Sequence, residues 1–161
     1  MFEVKQADAS LNKVETYQLL AEQLQALLSG EHNLIANAAN MSALVYHQLP
    51  DLNWCGFYLF DGTELVLGPF QGKVACVRIA LNRGVCGTAA STCQTQLVQD
   101  VHSFPGHIAC DAASQSEIVV PLIKNGQLIG VWDVDSPKLA RFDEEDRKGM
   151  QTLCEVFLAS L

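Results

Sequence analysis

One stretch limits what this chain can fold into more than any other. SEIVVPLIK, the pair Asn125-Gly126, and QLIGVWDVDS run unbroken from 116 to 136. Two runs rich in β-branched and apolar residues, joined by Asn-Gly, are a strong hairpin signal, because both turn residues tolerate the positive φ of a tight turn. An antiparallel sheet is therefore expected here. Side chains alternate across a strand, so Val131, Asp133 and Asp135 share one face while Trp132 and Val134 take the other. Glu117 lies near the start of the paired strand. Three carboxylates would then converge at one end of a sheet. Either that end is solvated, beside Pro137, or it faces a closed pocket. In a pocket, burial would demand a cation, such as a ligand ammonium, or a proton on one acid, which could then act as donor.

The rest of the chain reads around this hairpin. NWCGFYLF, DGTE and LVLG form a second hairpin from Asn53 onward. VACVRI reads as another strand or a loop entering one, and GVCGTAASTCQ as a short helix. Residues 100–114, with Pro105, Gly106, His107 and Cys110, read as a long functional loop. Both ends carry helical periodicity. Val14, Tyr17, Leu20, Leu24 and Leu27 recur at three and four, stopping at Gly30; Leu34, Ala38, Met41 and Val45 repeat the pattern up to Pro50. At the other end, Asp143 suits an N-cap with Glu144, Glu145 and Asp146 in the first turn, ahead of Met150, Leu153, Phe157 and Leu161. The expected class is α+β: a central antiparallel sheet, helices on one face and a loop-rich pocket on the other. Residues 1–161 would form a single domain, with 1–12 as a lead-in.

Composition removes several function classes. A net charge of −8 argues against a nucleic-acid partner. The first residues show no basic start followed by an apolar run, and the longest apolar stretches fall far short of the ~20 residues a membrane helix needs. A soluble, cytoplasmic protein is expected, in which thiols stay reduced unless chemistry oxidises them.

The six cysteines then matter. No pair has CxxC spacing, and His107 with Cys110 makes no complete ligand set, so neither a metal nor any cofactor is expected. Cys55 and Cys154 read as small buried hydrophobes, and Cys93 as structural. Cys76, Cys86 and Cys110 lie among small or special residues: KVACVR, RGVCGT and HIACDA. If GVCGT opens a helix, its free N–H groups would favour a thiolate, and Arg78, Arg83 and His107 would add positive potential. Trp54 and Tyr58, four apart on a strand, share a face; such a pair either packs in the core, the more common role, or walls a small pocket.

Read together, NWCGFY, LGPFQGKVACVRI, GVCGTAA, DVHSFPGHIACDAASQSEIVVP and IGVWDVDSP closely resemble the free methionine-R-sulfoxide reductases, a family built on the GAF domain. The match runs roughly from Asn53 to Phe142. The resemblance implies thiol-dependent reduction of free L-methionine-R-sulfoxide, with a sulfenic acid and an intramolecular disulfide that thioredoxin restores. It implies Cys110 as the attacking thiol, Cys76 as the main resolving thiol and Cys86 as a third redox cysteine. Glu117, Asp133 and Asp135 would line the substrate site, and Trp54 and Tyr58 would form its aromatic wall. The rival readings are a GAF module that senses a small molecule without turnover, and a structural GAF dimerisation unit. Under any of these readings the two N-terminal helices could form a homodimer face.

Overall fold

A computed structural model describes residues 3–6, 8–108 and 111–161. Among them run α1 (Lys13–Leu27), α2 (Leu34–Gln48), β1 (Trp54–Phe60), β2 (Glu64–Gly72), β3 (Arg78–Ala80), α3 (Gly84–Thr92), β4 (Gln96–Val98), β5 (Ser116–Lys124), β6 (Gln127–Ser136) and α4 (Glu144–Ser160). The strands make one sheet in the order β3-β2-β1-β6-β5-β4, with every pairing antiparallel. The architecture is α+β, as the alternation of hairpins and helical periods predicts.

Both hairpins are present. Asn125 and Gly126 adopt φ of 52° and 75°, the conformation that joins β5 to β6. β2 runs further than the LVLG segment, through Pro69 to Gly72. Its partner β3 reaches only Glu64, Leu65 and Val66, so Pro69 sits on an open edge where a missing N–H breaks no ladder bond. β4 has only three residues, too few for any periodicity to reveal it.

The period-2 alternation of the strands separates two cores. Cys55, Phe57, Ile118, Val120, Leu122, Trp132 and Val134 face the helices and join Ala38, Met41, Val45, Met150, Leu153 and Phe157 in one apolar cluster. α2 and α4 lie directly on the sheet, and α1 packs chiefly on α4. The buried stripe of α1 is Tyr17, Leu20 and Leu24, continued by Leu28, while Val14 is 50% exposed. α4 opens as expected: the Asp143 side chain accepts from the backbone N–H groups of Glu145 and Asp146, completing a capping box. Asp146 also accepts from Tyr17 at 2.9 Å and Lys13 at 2.6 Å, which ties α1 to α4.

Trp54, Tyr58, Val119 and Val131 point the other way, into a second cluster with Val85, Cys86, Ala89 and Ala90 of α3. Here the covering is thin: one short helix and the loop that follows β4. A single turn of 3-10 helix at Val101–Ser103 is the regular structure within that loop among the described residues.

Candidate active site

The sheet register brings the acids together. Glu117 pairs with Asp135, and Asp135 pairs in turn with Trp54 of β1; one step along, Val119, Asp133 and Gly56 form the next row. All side chains in these rows point to the thinly covered face. Trp54, Glu117, Asp133 and Asp135 line a cavity together with Ala75, Arg83, Gly84, Cys86, His107, Ile108, Asp111 and Ser114.

The aromatic wall is a stack of three rings. Trp54 lies 5.9 Å from Tyr58 and 5.2 Å from Phe70, centroid to centroid, with planes tilted by 23° and 14°. Gly56 makes this possible, because a Cβ there would collide with Phe70 and the Trp54 ring. The indole N–H donates to the Lys73 carbonyl at 3.1 Å and the Tyr58 hydroxyl to the Cys76 carbonyl at 2.9 Å. Both rings are thus anchored to the segment that carries Cys76, itself half-buried.

The floor is acidic and buried. Glu117 is 5% exposed, Asp133 6% and Cys86 5%. Burial drives the Asp133 carboxyl up to about 7, despite hydrogen bonding to Cys86 and Glu117. Asp135 is held well above the usual carboxylate range, by burial first and by the Asp133 carboxylate second. Asp133 Oδ1 has no hydrogen-bond partner among the described residues. Such an orphan is expensive unless a ligand, water or proton satisfies it.

The helix expected at GVCGT forms, and Gly84 opens it with φ of 60°, packed against Ile108. The expected thiolate at Cys86 does not follow. Burial pushes this thiol up well above its ordinary value, and Asp133, Glu117 and Asp135 push it further. Arg78 adds no positive potential here, since it pairs with Asp61 and Glu64 on the surface. His107 is held below its ordinary value by burial and by His102, so it is neutral near pH 7. Its Nε2 lies 3.7 Å from Glu117 Oε2. Nearby acids and desolvation thus outweigh the helix N-terminus.

The loop is latched at its far end. Asn53 donates to Asp111 at 3.2 Å and to Ser114 at 3.0 Å, and Lys73 faces Asp111 at 3.6 Å. Asn53, Asp111 and Ser114 lie within the quoted motifs, but no periodicity marks a loop residue as part of the site. Trp54, Tyr58, Cys86, Glu117, Asp133 and Asp135 meet in one cavity. Cys110 lies outside the described residues, while Ile108 before it and Asp111 after it both line that cavity. Cys55 and Cys154 are buried on the opposite face, among the helices.

Comparison with known proteins bears on this pocket. The family model described as GAF domain matches residues 15–161. The free methionine-R-sulfoxide reductase of Escherichia coli is 55% identical over 89% of this chain and 87% of its own length. The structure of free methionine-R-sulfoxide reductase from Neisseria meningitidis, in complex with its substrate, superposes with a TM-score of 0.92 at 40% identity, covering 98% of this chain and 95% of that one. The substrate complex of the Staphylococcus aureus enzyme gives 0.87 at 50% identity, over 90% and 95% of the two chains. A chain with this sheet, this acid-floored pocket and identity at this level over nearly its whole length belongs to the GAF-domain family of free methionine-R-sulfoxide reductases.

Proposed function

We propose that this protein reduces free L-methionine-R-sulfoxide to L-methionine, with Cys110 as the attacking thiol. The observation that carries this reading is the buried, unpartnered carboxyl oxygen of Asp133, placed under the Trp54–Tyr58 wall and beside two further acids. An apolar, polarisable wall suits a thioether or sulfoxide sulfur, and an acidic floor suits an ammonium. Glu117 and Asp135 take the ammonium, whose positive charge would return Asp135 to its ionised form. A methionine inside a peptide lacks that ammonium.

Asp133, holding a proton close to neutrality, donates it to the sulfoxide oxygen. The Cys110 thiolate attacks the sulfur of the protonated sulfoxide, forming a sulfur–sulfur bond; the hydroxyl then passes to the Cys110 sulfur as that bond and the sulfur–oxygen bond break, the electron pair staying on the methionine sulfur. Methionine leaves reduced and Cys110 becomes a sulfenic acid. The Cys76 thiol then attacks that sulfur, a disulfide forms and the oxygen departs as water. A dithiol of the thioredoxin class reduces the disulfide by exchange. Cys86, neutral and bonded to Asp133, is suited to the reserve resolving role and not to attack.

Turnover is read as NADPH oxidation through thioredoxin and its reductase, with fully reduced protein. The R epimer of free methionine sulfoxide should be consumed and Cys110→Ser should abolish its consumption. Absence of turnover with the R epimer overturns the function. An active Cys110→Ser beside a dead Cys86→Ser overturns the nucleophile. Mass spectrometry of oxidised protein should find Cys76 linked to Cys110; a dominant Cys86–Cys110 link exchanges the resolving roles.

A further inference from the structure

We infer that Cys86, Glu117 and Asp133 form a site for a borderline-soft divalent cation, zinc above all, at the floor of the pocket. One ligand atom from each, the Cys86 sulfur and a carboxylate oxygen from the other two, lies within 4.8 Å of the other two, and all three residues are buried. Asp133 Oδ1 is already without a partner among the described residues. His107 Nε2 lies 3.7 Å from Glu117 Oε2 but outside the cluster of three, so water or a moved His107 ring would complete the coordination.

The donor set selects the ion. Thiolate, imidazole and carboxylate are the ligands of tetrahedral zinc, with bonds of about 2.0–2.3 Å that place neighbouring ligand atoms roughly 3.5 Å apart. The three atoms are near enough for side-chain adjustment to reach that geometry. Magnesium and calcium want six or more oxygens and do not take thiolate, so they are poor fits. Zinc would displace the thiol proton of Cys86, which exchanges a neutral buried group for a charge-compensated one. The backbone separations of 31 and 16 residues between these ligands show why no spacing motif announces the site. A bound ion would occupy space that the substrate needs; that consequence rests on the proposed function, whereas binding itself does not.

The test uses reduced, metal-free, full-length protein without substrate. Zinc alone is titrated against a chromophoric chelator, and cobalt(II) alone is added to report thiolate ligation by its charge-transfer band. The expected result is one strong site and a thiolate band. Cys86→Ser should remove the band and weaken zinc by at least about tenfold, while Cys93→Ser on the exposed end of α3 changes neither. Circular dichroism checks that Cys86→Ser is folded. As a second variant, Glu117→Gln should weaken zinc yet retain the band. Unchanged zinc affinity in both Cys86→Ser and Glu117→Gln overturns the site, as does a band that survives Cys86→Ser but is lost in Cys76→Ser. A protein that binds zinc as described yet fails to turn over the sulfoxide would overturn the functional reading alone.

Discussion

The two faces of one sheet are built from the same strands to opposite ends. On the helix side, Phe57, Ile118, Trp132 and Val134 are sealed by α2 and α4 in an apolar cluster. On the pocket side, the alternate residues of those strands are Trp54, Tyr58, Glu117, Asp133 and Asp135. The first face stabilises the fold by removing apolar surface from water. The second holds carboxyls whose burial opposes folding, evident in the raised positions of Asp133 and Asp135. The difference teaches that stability and binding chemistry are separated by one residue of strand register. The pocket face can keep its buried carboxyls because the helix face supplies the folding energy.

Breaking the helix face should give the largest effect. Phe157 is fully buried and packs 4.9 Å from Phe57, centroid to centroid. Phe157→Ala should cost about 3–5 kcal/mol of stability in urea unfolding and leave the KM of the folded fraction unchanged. A matching rise in KM would show that the faces are not separate. Gly56→Ala inserts a methyl group between Phe70 and Trp54. A loss of about 1–3 kcal/mol is expected, with a higher KM, because the displaced ring belongs to the wall. An unchanged KM would remove Trp54 from the substrate site.

The pH dependence of unfolding, measured with chelator present, sharpens the contrast. The Asp133 carboxyl titrates near 7 in the folded chain and near 3.9 when unfolded. Between these values the native state binds the extra proton, so this group makes stability fall as pH rises from about 4 to about 7, by at most about 1.4 kcal/mol per pH unit. Above that window its contribution is flat. Asp133→Asn should reduce the decline and leave the share that Asp135 carries by its own burial; an unaltered slope would place the titration elsewhere. Smallest of all, Lys13→Ala removes a partly exposed partner of Asp146 and Asp143. Under about 1 kcal/mol should be lost, with no change in turnover.

Much of this contrast is legible in the amino-acid sequence. Alternation in QLIGVWDVDS places Asp133 and Asp135 opposite Trp132 and Val134, since a strand's period is 2 whatever its surroundings. The Asn125-Gly126 turn pairs Lys124 with Gln127, but a one-residue irregularity between Leu122 and Ile123 shifts the ladder before Glu117 meets Asp135, so that pairing is not read from the turn. The Asp143 cap is as plain as the alternation, because capping is a local matter of side chain and adjacent backbone. The charge state of Cys86 is not legible in the same way: a helix N-terminus favours a thiolate, but three acids from strands distant in sequence oppose it. β4 and the anchors Asn53, Asp111 and Ser114 escape notice for a related reason, as each depends on a partner supplied by a different segment.

The amino-acid sequence alone carries the long elements, their faces and the family resemblance, because periodicity, turns and caps act over a few residues. Tertiary structure alone decided the chemistry of the floor. Whether an acid keeps its proton, a thiol stays neutral or three ligands come within reach of one ion depends on dielectric and distance, and those exist only once β1, β5, β6 and α3 are packed together.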